Sequence, residues 1–290
     1  MPGPKHKYHE CLQKARKHLT KNEYKNARLM YFQAYNLIED NKERSIIWAE
    51  LSWVYYYEAD YAKAIEAAEN VHLYDPDYKA MEDLNRLMGF SYSMLKEYAL
   101  AEKHLSESLG QDSASDKQQF VKFELGKIHF IRGNYDLAYP YLKDIIDFFK
   151  NRNREYYLTL LFYLGFINYY LENQAQARQY FEEILQFKPA KTRKASAFFG
   201  LSFIEFKEKN YLNVISLCEK IMTLDEQFFD RESLGFLTAA SYFYLGRKDI
   251  FAEYYDQMIK SYPQGRYRQE LENLAKSDVS DPGSGRKSKD

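Results

Sequence analysis

The stretch WAELSWVYYYEADYAKAIEAAENVHLYDP, residues 48–76, carries the pattern that predicts the fold. Ser52 in its first half and Ala64 in its second half are small residues, which would let two helices approach each other closely. The stretch ends with Pro76, a residue that a helix interior does not tolerate. We therefore expect one pair of closely packed helices here.

The same pattern recurs along the chain at a nearly fixed interval. Tyr lies three residues before Ala in NEYKNA, ADYAKA, KEYALA and GNYDLA, and these segments end at marker residues 37 positions apart: Ala27, Ala64, Ala101 and Ala138. Ala177 follows 39 positions later, with Gln174 in place of the Tyr, and Val214 comes 37 positions after that. Six markers in order predict an internal structural repeat.

Two further sets of positions keep this register. Each marker from the second onward is preceded by a large apolar residue and then a small one, namely Leu51-Ser52, Met88-Gly89, Leu125-Gly126, Leu164-Gly165 and Leu201-Ser202. Four residues after each marker, the second helix is expected to bury Tyr31, Ala68, Leu105, Leu142, Phe181 or Cys218. This spacing predicts that each small residue faces the partner helix of its own pair.

The pattern resembles the tetratricopeptide repeat. Its W-x2-L-G-x2-Y…A…P consensus is matched in the second repeat by Trp48, Leu51, Ser52, Tyr55, Tyr61, Ala64 and Pro76. The resemblance implies an all-α fold, a right-handed α-solenoid of antiparallel helix pairs with a C-terminal capping helix. The interval of 37 to 39 residues exceeds the family's usual period of about 34, which leaves the superhelical pitch open.

The resemblance covers residues 8–265, with six clear repeats and a degenerate seventh in which Phe251 occupies the marker position. Residues 266–276 are predicted to form a capping helix, because the last repeat of a solenoid has no neighbour to cover it. Residues 1–7 are expected to be an N-terminal extension. Residues 277–290 lack apolar periodicity and are expected to be a disordered tail.

In tetratricopeptide folds, the remaining face of each first helix lines a concave groove. Here those positions hold mainly rings: Trp53, Tyr56, Arg86, Phe90, Phe123, Lys127, Phe162, Phe166, Tyr169, Phe199, Phe203 and Phe236. Soluble monomers rarely leave so large an apolar patch bare. The resemblance therefore implies a partner-binding groove for a helix or an extended peptide, in which Arg86 and Lys127 would set orientation or charge preference.

Other interpretations of these rings stay open. Aromatic residues at helical spacing are usually core, so the rings could pack on one another, and self-association into a homo-oligomer would also hide them. A carboxylate clamp, with which some family members hold the acidic tails of chaperones, is disfavoured. Its Asn would directly follow the small first-helix residue, where this chain has Arg16, Trp53, Phe90, Lys127, Phe166, Phe203 and Ala240.

Composition disfavours several classes of partner. The formal net charge is -1, so no global field attracts nucleic acid. The uncharged run 156–171 would rise only about 24 Å as a helix, short of a bilayer core, so no membrane insertion is expected. No apolar segment follows the basic residues near the start, which predicts a cytoplasmic protein.

The sequence gives no sign of catalysis. No nucleophile elbow, P-loop, dinucleotide glycine pattern or HExxH motif occurs. His6, His9 and Cys11 fit no standard zinc spacing, and Cys11 and Cys218 lie too far apart in sequence to indicate a paired site. We therefore expect a non-catalytic protein without a metal or a cofactor.

Three functions remain as hypotheses. The first is a scaffold or adaptor that holds a protein segment in the groove. The second is a structural subunit of a larger cytoplasmic assembly of the secretion, pilus or flagellar type, which would use its convex face or edges. The third and least favoured is an RNA-binding solenoid, because its basic clusters, such as KTRK at 191–194, are interspersed with acids.

Overall fold

The computed structural model describes residues 4–110 and 115–279, and within these ranges the chain forms helices without strands. The helices are α1 (Pro4–Thr20), α2 (Tyr24–Tyr35), α3 (Asn41–Tyr57), α4 (Tyr61–Tyr74), α5 (Met81–Met94), α6 (Tyr98–Glu107), α7 (Asp116–Ile131), α8 (Tyr135–Asp144), α9 (Ile146–Lys150), α10 (Arg154–Tyr170), α11 (Gln174–Gln186), α12 (Lys191–Lys207), α13 (Tyr211–Leu224), α14 (Arg231–Tyr244), α15 (Lys248–Ser261) and α16 (Arg268–Val279). The all-α prediction is confirmed.

The helices form seven consecutive pairs. We call the first helix of each pair an A helix (α1, α3, α5, α7, α10, α12 and α14) and its partner a B helix (α2, α4, α6, α8, α11, α13 and α15). In every pair the A helix packs on its own B helix. Contacts between a B helix and the next A helix join α2 to α3, α4 to α5, α6 to α7, α11 to α12 and α13 to α14.

Every A helix ends in the same turn. The turn places one residue in the left-handed region, with φ between 60° and 75°, at Asn22, Ala59, Lys96, Gly133, Glu172, Lys209 and Gly246. In the second repeat the Asp60 N–H donates to the Tyr55 carbonyl and the Ala59 N–H to the Tyr56 carbonyl, and the same two bonds recur in the other six turns. This is the Schellman geometry that closes a helix C-terminus. Each turn residue lies five positions before its marker, so the turns recur at the interval of the sequence repeat, also in the seventh repeat with Phe251 as its marker.

The small A-helix residues lie where the register places them. A Cβ added to Gly126 would come 2.4 Å from a methyl carbon of Leu142, and one added to Gly89 would come 2.5 Å from Leu105. Both leucines are buried four residues after their markers. Each glycine therefore permits an approach between A and B helices that no side chain would allow.

The chain divides into two compact units, Met1–Ile145 and Ile146–Asp290. The first holds the pairs from α1 to α8, with a core that includes Tyr31, Leu51 and Leu87. The second begins with the short helix α9, which lies within the one step of 39 residues between turn residues.

The helices at the two ends extend beyond the predicted bounds of the repeat region and the cap. Helix α1 begins at Pro4, within the predicted N-terminal extension, because proline suits the first turn of a helix and no breaker follows it. Helix α16 packs on α14 and α15 at the predicted capping position, but it extends to Val279, past the predicted end at 276. The residues after Lys276 contain no helix breaker before Pro282. The rest of the predicted tail lies outside the described residues.

Candidate protein-interaction surface

The residues predicted to bind a partner all lie on A helices. Trp53 and Tyr56 are on α3, Arg86 and Phe90 on α5, and Phe123 and Lys127 on α7. In the second unit, Phe162, Phe166 and Tyr169 are on α10, Phe199 and Phe203 on α12, and Phe236 on α14. Their exposure differs. Phe123, Phe166 and Phe199 are buried, whereas the other nine are half-buried.

In the second unit these rings form one contiguous group, the ring cluster, made of Phe162, Phe166, Tyr169, Phe199 and Phe203. The centroid of the Phe166 ring lies 5.0 Å from that of Phe162, 5.8 Å from that of Phe199 and 5.9 Å from that of Phe203. These spacings are typical of favourable aromatic pairs. Phe166 and Phe199 keep only 5% and 4% of their surfaces exposed. The ring cluster is thus core at its base and accessible at Phe162, Tyr169 and Phe203.

Phe236 belongs to a separate ring stack. Its ring is nearly parallel to that of Tyr267 at a centroid distance of 4.2 Å, and it lies 6.0 Å from Phe206. Tyr267 precedes the capping helix α16 by one residue, and its hydroxyl is 2.9 Å from the hydroxyl of Ser233. Residues next to the cap therefore cover part of the face that Phe236 presents.

The corresponding face of the first unit is polar. Arg16 forms a bidentate pair with Glu50, and the Arg86 guanidinium lies over the Trp53 ring at 5.5 Å. Asp83 pairs with Arg86 at 2.5 Å and with Lys117 at 3.1 Å. These residues line an open cleft of about 500 Å³. Burial alone would raise the pKa of the Asp83 carboxyl, but Lys117 and Arg86 hold that pKa below its ordinary value.

Lys127 is also paired. Its ammonium lies 2.5 Å from Glu124, whose carboxylate in turn accepts a hydrogen bond from Ser93. The two cations predicted to set charge preference, Arg86 and Lys127, are therefore held in place by neighbouring carboxylates. On the A-helix face of the first unit, paired acidic and basic side chains surround Trp53. On the A-helix face of the second unit, aromatic side chains predominate.

Known proteins show the same architecture. A family model described as tetratricopeptide repeat matches residues 159–187, which run from within α10 through α11. Residues 159–187 therefore match a single tetratricopeptide repeat. No curated protein sequence matches it.

Solved tetratricopeptide structures share the fold at low sequence identity. One, titled as a functional characterization of pilF from Pseudomonas aeruginosa, is 18% identical with a TM-score of 0.57, over 81% of this chain and 99% of that one. The C-terminal part of a TPR repeat-containing protein from Cytophaga hutchinsonii is 15% identical with the same TM-score, over 90% and 98%. A structure of the APC/C hetero-tetramer Cut9-Hcn1 is also 15% identical with a TM-score of 0.57, covering 92% of this chain and 48% of its own.

The repeats carry a second row of apolar residues, which the sequence interpretation missed. The last residue of most A helices is large, apolar and close to half exposed: Tyr57, Met94 and Ile131 in the first unit, and Tyr170 and Tyr244 in the second. We call this the edge row. In the second unit it borders a cleft of about 720 Å³ that also includes Phe206, Lys207 and Lys209. The signal in the sequence was a bulky apolar residue two positions before five of the seven turn residues.

His129 is an interior residue of α7, and burial lowers its pKa. Its Nδ1 has no hydrogen-bond partner, and its Nε2 is 3.9 Å from Glu102. In residues 4–110 and 115–279, no three His, Cys, Asp or Glu side chains group as metal ligands. No helix in the same ranges combines the length and apolar character needed to cross a bilayer.

Proposed function

We propose that this protein is a non-catalytic scaffold or adaptor that binds a hydrophobic or amphipathic protein segment on the A-helix face. The tetratricopeptide fold supports protein interaction in general, and its family is typically non-catalytic. The observation that carries the proposal is the partial exposure of Phe162, Tyr169 and Phe203 above two buried rings. Aromatic anchors of this kind dominate the binding energy of many interfaces.

The buried rings make the surface rigid before any partner binds. Phe166 and Phe199 each contact Phe203, at centroid distances of 5.9 and 5.0 Å, and so hold it from two sides. A preformed surface loses little conformational entropy on binding, which favours affinity. In the first unit, Trp53 and the paired charges of Arg86 and Asp83 would fix the orientation of a segment that also carries polar groups.

Site-specific photo-crosslinking tests this proposal. A photoreactive phenylalanine analogue at position 203 should crosslink to a partner protein. The crosslinked residues of that partner should be the same in repeated experiments. The matched control places the analogue at Leu212, which is 71% exposed on the neighbouring B helix α13. Crosslinks from position 212 and none from position 203 would contradict binding on the A-helix face.

The edge row supports a second candidate function, a structural subunit of a larger assembly that docks through the edge of the repeats. Tyr57 and Met94 are each 51% exposed and Ile131 is 47% exposed, at one repeat position in three consecutive repeats. Exposed apolar residues that recur in this way are typical of interaction sites. Replacing Met94 and Ile131 by Lys should abolish assembly if this candidate is correct, and should leave partner crosslinking from position 203 intact if the scaffold proposal is correct.

RNA binding is the weakest candidate. The basic cluster at 191–194 already makes contacts within the chain. Arg193 is 3.4 Å from Glu155, and Lys194 lies over the Phe198 ring. An RNA-binding surface would give an affinity that falls steeply with salt. We expect no binding of single-stranded RNA at low salt in a filter-binding assay.

A further inference from the structure

The cleft of about 720 Å³ beside the edge row of the second unit, which we call the edge cleft, is lined mainly by rings. It lies at the C-terminal ends of three consecutive A helices, α10, α12 and α14, and at the start of the B helix α13. Its aromatic residues are Tyr169, Tyr170, Phe206, Tyr211 and Tyr244. Its charged residues are Glu172, Lys207 and Lys209.

The rings of the edge cleft hold one another in place. Tyr244 of α14 is stacked on Tyr211 of α13 at a centroid distance of 5.0 Å. Phe206 of α12 lies 5.8 Å from Tyr211 and 6.2 Å from Tyr244. In the preceding A helix, α10, the rings of Tyr169 and Tyr170 lie 5.3 Å apart. The edge cleft is therefore a preformed row of rings that extends across three repeats.

The spacing of the A helices selects among the conformations that a bound segment could have. Helix α12 packs on both α10 and α14, and the axes of packed helices lie about 8–10 Å apart. A polyproline II helix has three residues per turn and rises about 3.1 Å per residue, so the same face recurs about every 9 Å. The same face recurs about every 7 Å in an extended strand and about every 5.4 Å in an α-helix. Polyproline II therefore matches the interval between the repeats most closely.

The polar groups of the edge cleft are mainly hydrogen-bond donors. Within the described part of the chain, no hydrogen-bond partner lies near the hydroxyls of Tyr169, Tyr211 and Tyr244. An ammonium group can only donate, and the Glu172 carboxylate already accepts a hydrogen bond from Lys207. A proline-rich segment suits such donors, because its prolines offer carbonyls without N–H groups. An α-helix bonds its own carbonyls, and a strand would bring N–H groups for which few acceptors are left.

Lys209 adds a charge to which a partner can respond. It lies in the turn after α12, and its side chain is exposed. Lys207 is paired with Glu172, whereas Lys209 forms no ion pair among the residues that the structure describes. One positive charge of the edge cleft is thus uncompensated, which favours a segment that carries an acidic residue.

We propose that the edge cleft binds a proline-rich segment of a partner protein in the polyproline II conformation, with an acidic residue beside Lys209. Aromatic-lined grooves bind such segments favourably because the polyproline II helix is already formed before binding and loses little entropy. This inference rests on the proposed role in binding a protein segment, and it names the class of that segment. Among the residues of the ring cluster, only Tyr169 also lines the edge cleft.

The test measures the binding of fluorescein-labelled peptides to the full chain by fluorescence anisotropy. We expect saturable binding of the nonapeptide EPPAPPAPP. The peptide EAAAAAAAA, which has the same length and charge without prolines, and the helix-forming peptide LEKLLEKLLEKL should each bind roughly tenfold or more weakly. Absence of saturable binding of EPPAPPAPP, or equally tight binding of either control peptide, would overturn the proline-rich partner.

Two matched tyrosine variants locate the binding site. Tyr244→Ala should weaken the binding of EPPAPPAPP roughly tenfold, because it removes an exposed ring of the cleft. Tyr57→Ala is the control, since both tyrosines are 51% exposed and Tyr57 is likewise stacked on a ring, that of Tyr24 at 5.7 Å. Around Tyr57, the repeat register replaces the phenylalanine and the two lysines of the edge cleft by Leu19, Thr20 and Asn22. Tyr57→Ala should therefore bind like the wild type, and equal effects of the two variants would overturn the edge cleft as the site.

Charge reversal tests the acidic residue of the partner. Lys209→Glu should preserve the turn, because Glu172 has a φ of 65° in the preceding turn and Lys209 has a φ of 63°. The variant should bind EPPAPPAPP about threefold or more weakly than the wild type does, and should prefer KPPAPPAPP, which the wild type binds less tightly. An unchanged preference between the two peptides would overturn the contact with Lys209.

This experiment and the crosslinking experiment fail separately. Crosslinking from position 203 without binding of EPPAPPAPP would overturn the proline-rich partner and would support the scaffold on the A-helix face. Binding of EPPAPPAPP that Tyr244→Ala weakens, without any crosslink from position 203, would support the edge cleft and would contradict binding at the ring cluster.

Discussion

Five of the seven left-handed turn residues carry a side chain: Asn22, Ala59, Lys96, Glu172 and Lys209. This backbone brings the Cβ of an L-residue close to a carbonyl oxygen and is disfavoured by roughly 1–2 kcal/mol, whereas glycine adopts it without that strain. Gly133 and Gly246 occupy the other two turns. The repeats therefore differ in local strain at one equivalent position.

The first prediction follows from this difference. Ala59→Gly, at φ 60°, should raise the free energy of unfolding by about 0.5–1 kcal/mol, because relief of strain exceeds the added entropy of the unfolded chain. Gly133→Ala, at φ 75° with no atom near the new Cβ, should lower it by about 1 kcal/mol. Urea unfolding followed by circular dichroism measures both, and changes of the same sign in the two variants would contradict the argument.

The second prediction concerns the two thiols. Burial raises the pKa of Cys218 to about 11, so almost none of it is thiolate at pH 8, and its side chain is nearly inaccessible. Labelling with a thiol reagent at pH 8 should be biphasic, with Cys218 reacting about 100-fold or more slowly than an ordinary cysteine. Cys11→Ser should remove the fast phase alone. A single fast phase for both thiols would show that the α13 region opens readily.

At the scale of helices, the contact between Gly126 and Leu142 fixes the separation of α7 and α8. Gly126→Ala should lower the free energy of unfolding by about 1–3 kcal/mol, because the new methyl group would overlap a fully buried leucine. Leu142→Ala should lower it by about 2–5 kcal/mol through the cavity that it leaves. In the double variant the methyl group enters that cavity, so the combined loss should be smaller than the sum of the single losses. Additive losses would contradict direct contact.

A charged network joins three helices of the second unit and gives a pH prediction. Glu205 on α12 accepts hydrogen bonds from Arg178 on α11 at 2.7 Å and from Asn213 on α13 at 3.1 Å. Burial alone would raise the pKa of Glu205, but these donors hold it below its ordinary value of 4.5. The stability that the carboxylate contributes is therefore present above about pH 4.5 and is lost as the pH falls below that value.

Glu205→Gln measures this contribution. At pH 7 the variant should be less stable than the wild type by about 1–2 kcal/mol, because a charged acceptor is replaced by a neutral one. The difference should shrink as the pH falls below 4.5, since the Glu205 carboxyl of the unfolded chain then binds a proton that the folded chain binds only at lower pH. Urea unfolding at pH 7, 5 and 3.5 provides the comparison, and a constant difference at all three values would contradict the network.

The sequence predicted the helical pairs because their packing depends on local, periodic contacts. Gly89, Gly126 and Gly165 lie against the core residues that the register assigned to them, Leu105, Leu142 and Phe181. The short helix α9 was not predicted, because nothing in the interval of 39 residues distinguishes a longer turn from an additional helix.

At the scale of the whole molecule, the capping helix α16 seals the last pair of the second unit. Leu271 on α16 is 1% exposed and packs in a cluster with Phe251 and Met258 of α15. Leu271→Lys should lower the free energy of unfolding by about 2–4 kcal/mol and accelerate amide exchange in α15 and α16, because it places a charge in this cluster. Gln269→Lys, on the exposed face of α16, should change stability by less than about 0.5 kcal/mol. Equal effects would show that α16 does not seal the repeats.

The candidate surfaces were less predictable than the fold. For Phe166 and Phe199 the sequence left two alternatives, a groove and a packed core, because exposure of a ring depends on how adjacent repeats pack and the period alone does not determine that. The sequence also could not show that Arg86 and Lys127, predicted to set orientation or charge preference, pair with Asp83 and Glu124.

The recurrent turn also makes the chain suitable for single-molecule force spectroscopy of repeat unfolding. Positions 22, 59, 96 and 133 of the first unit are all exposed and separated by 37 residues. Attachment handles at pairs of these positions would enclose one, two or three complete modules of equal contour length. The increase in contour length at each unfolding event would show how many repeats unfold together. Comparing pairs that enclose one, two or three repeats would thus measure the cooperativity between neighbouring repeats.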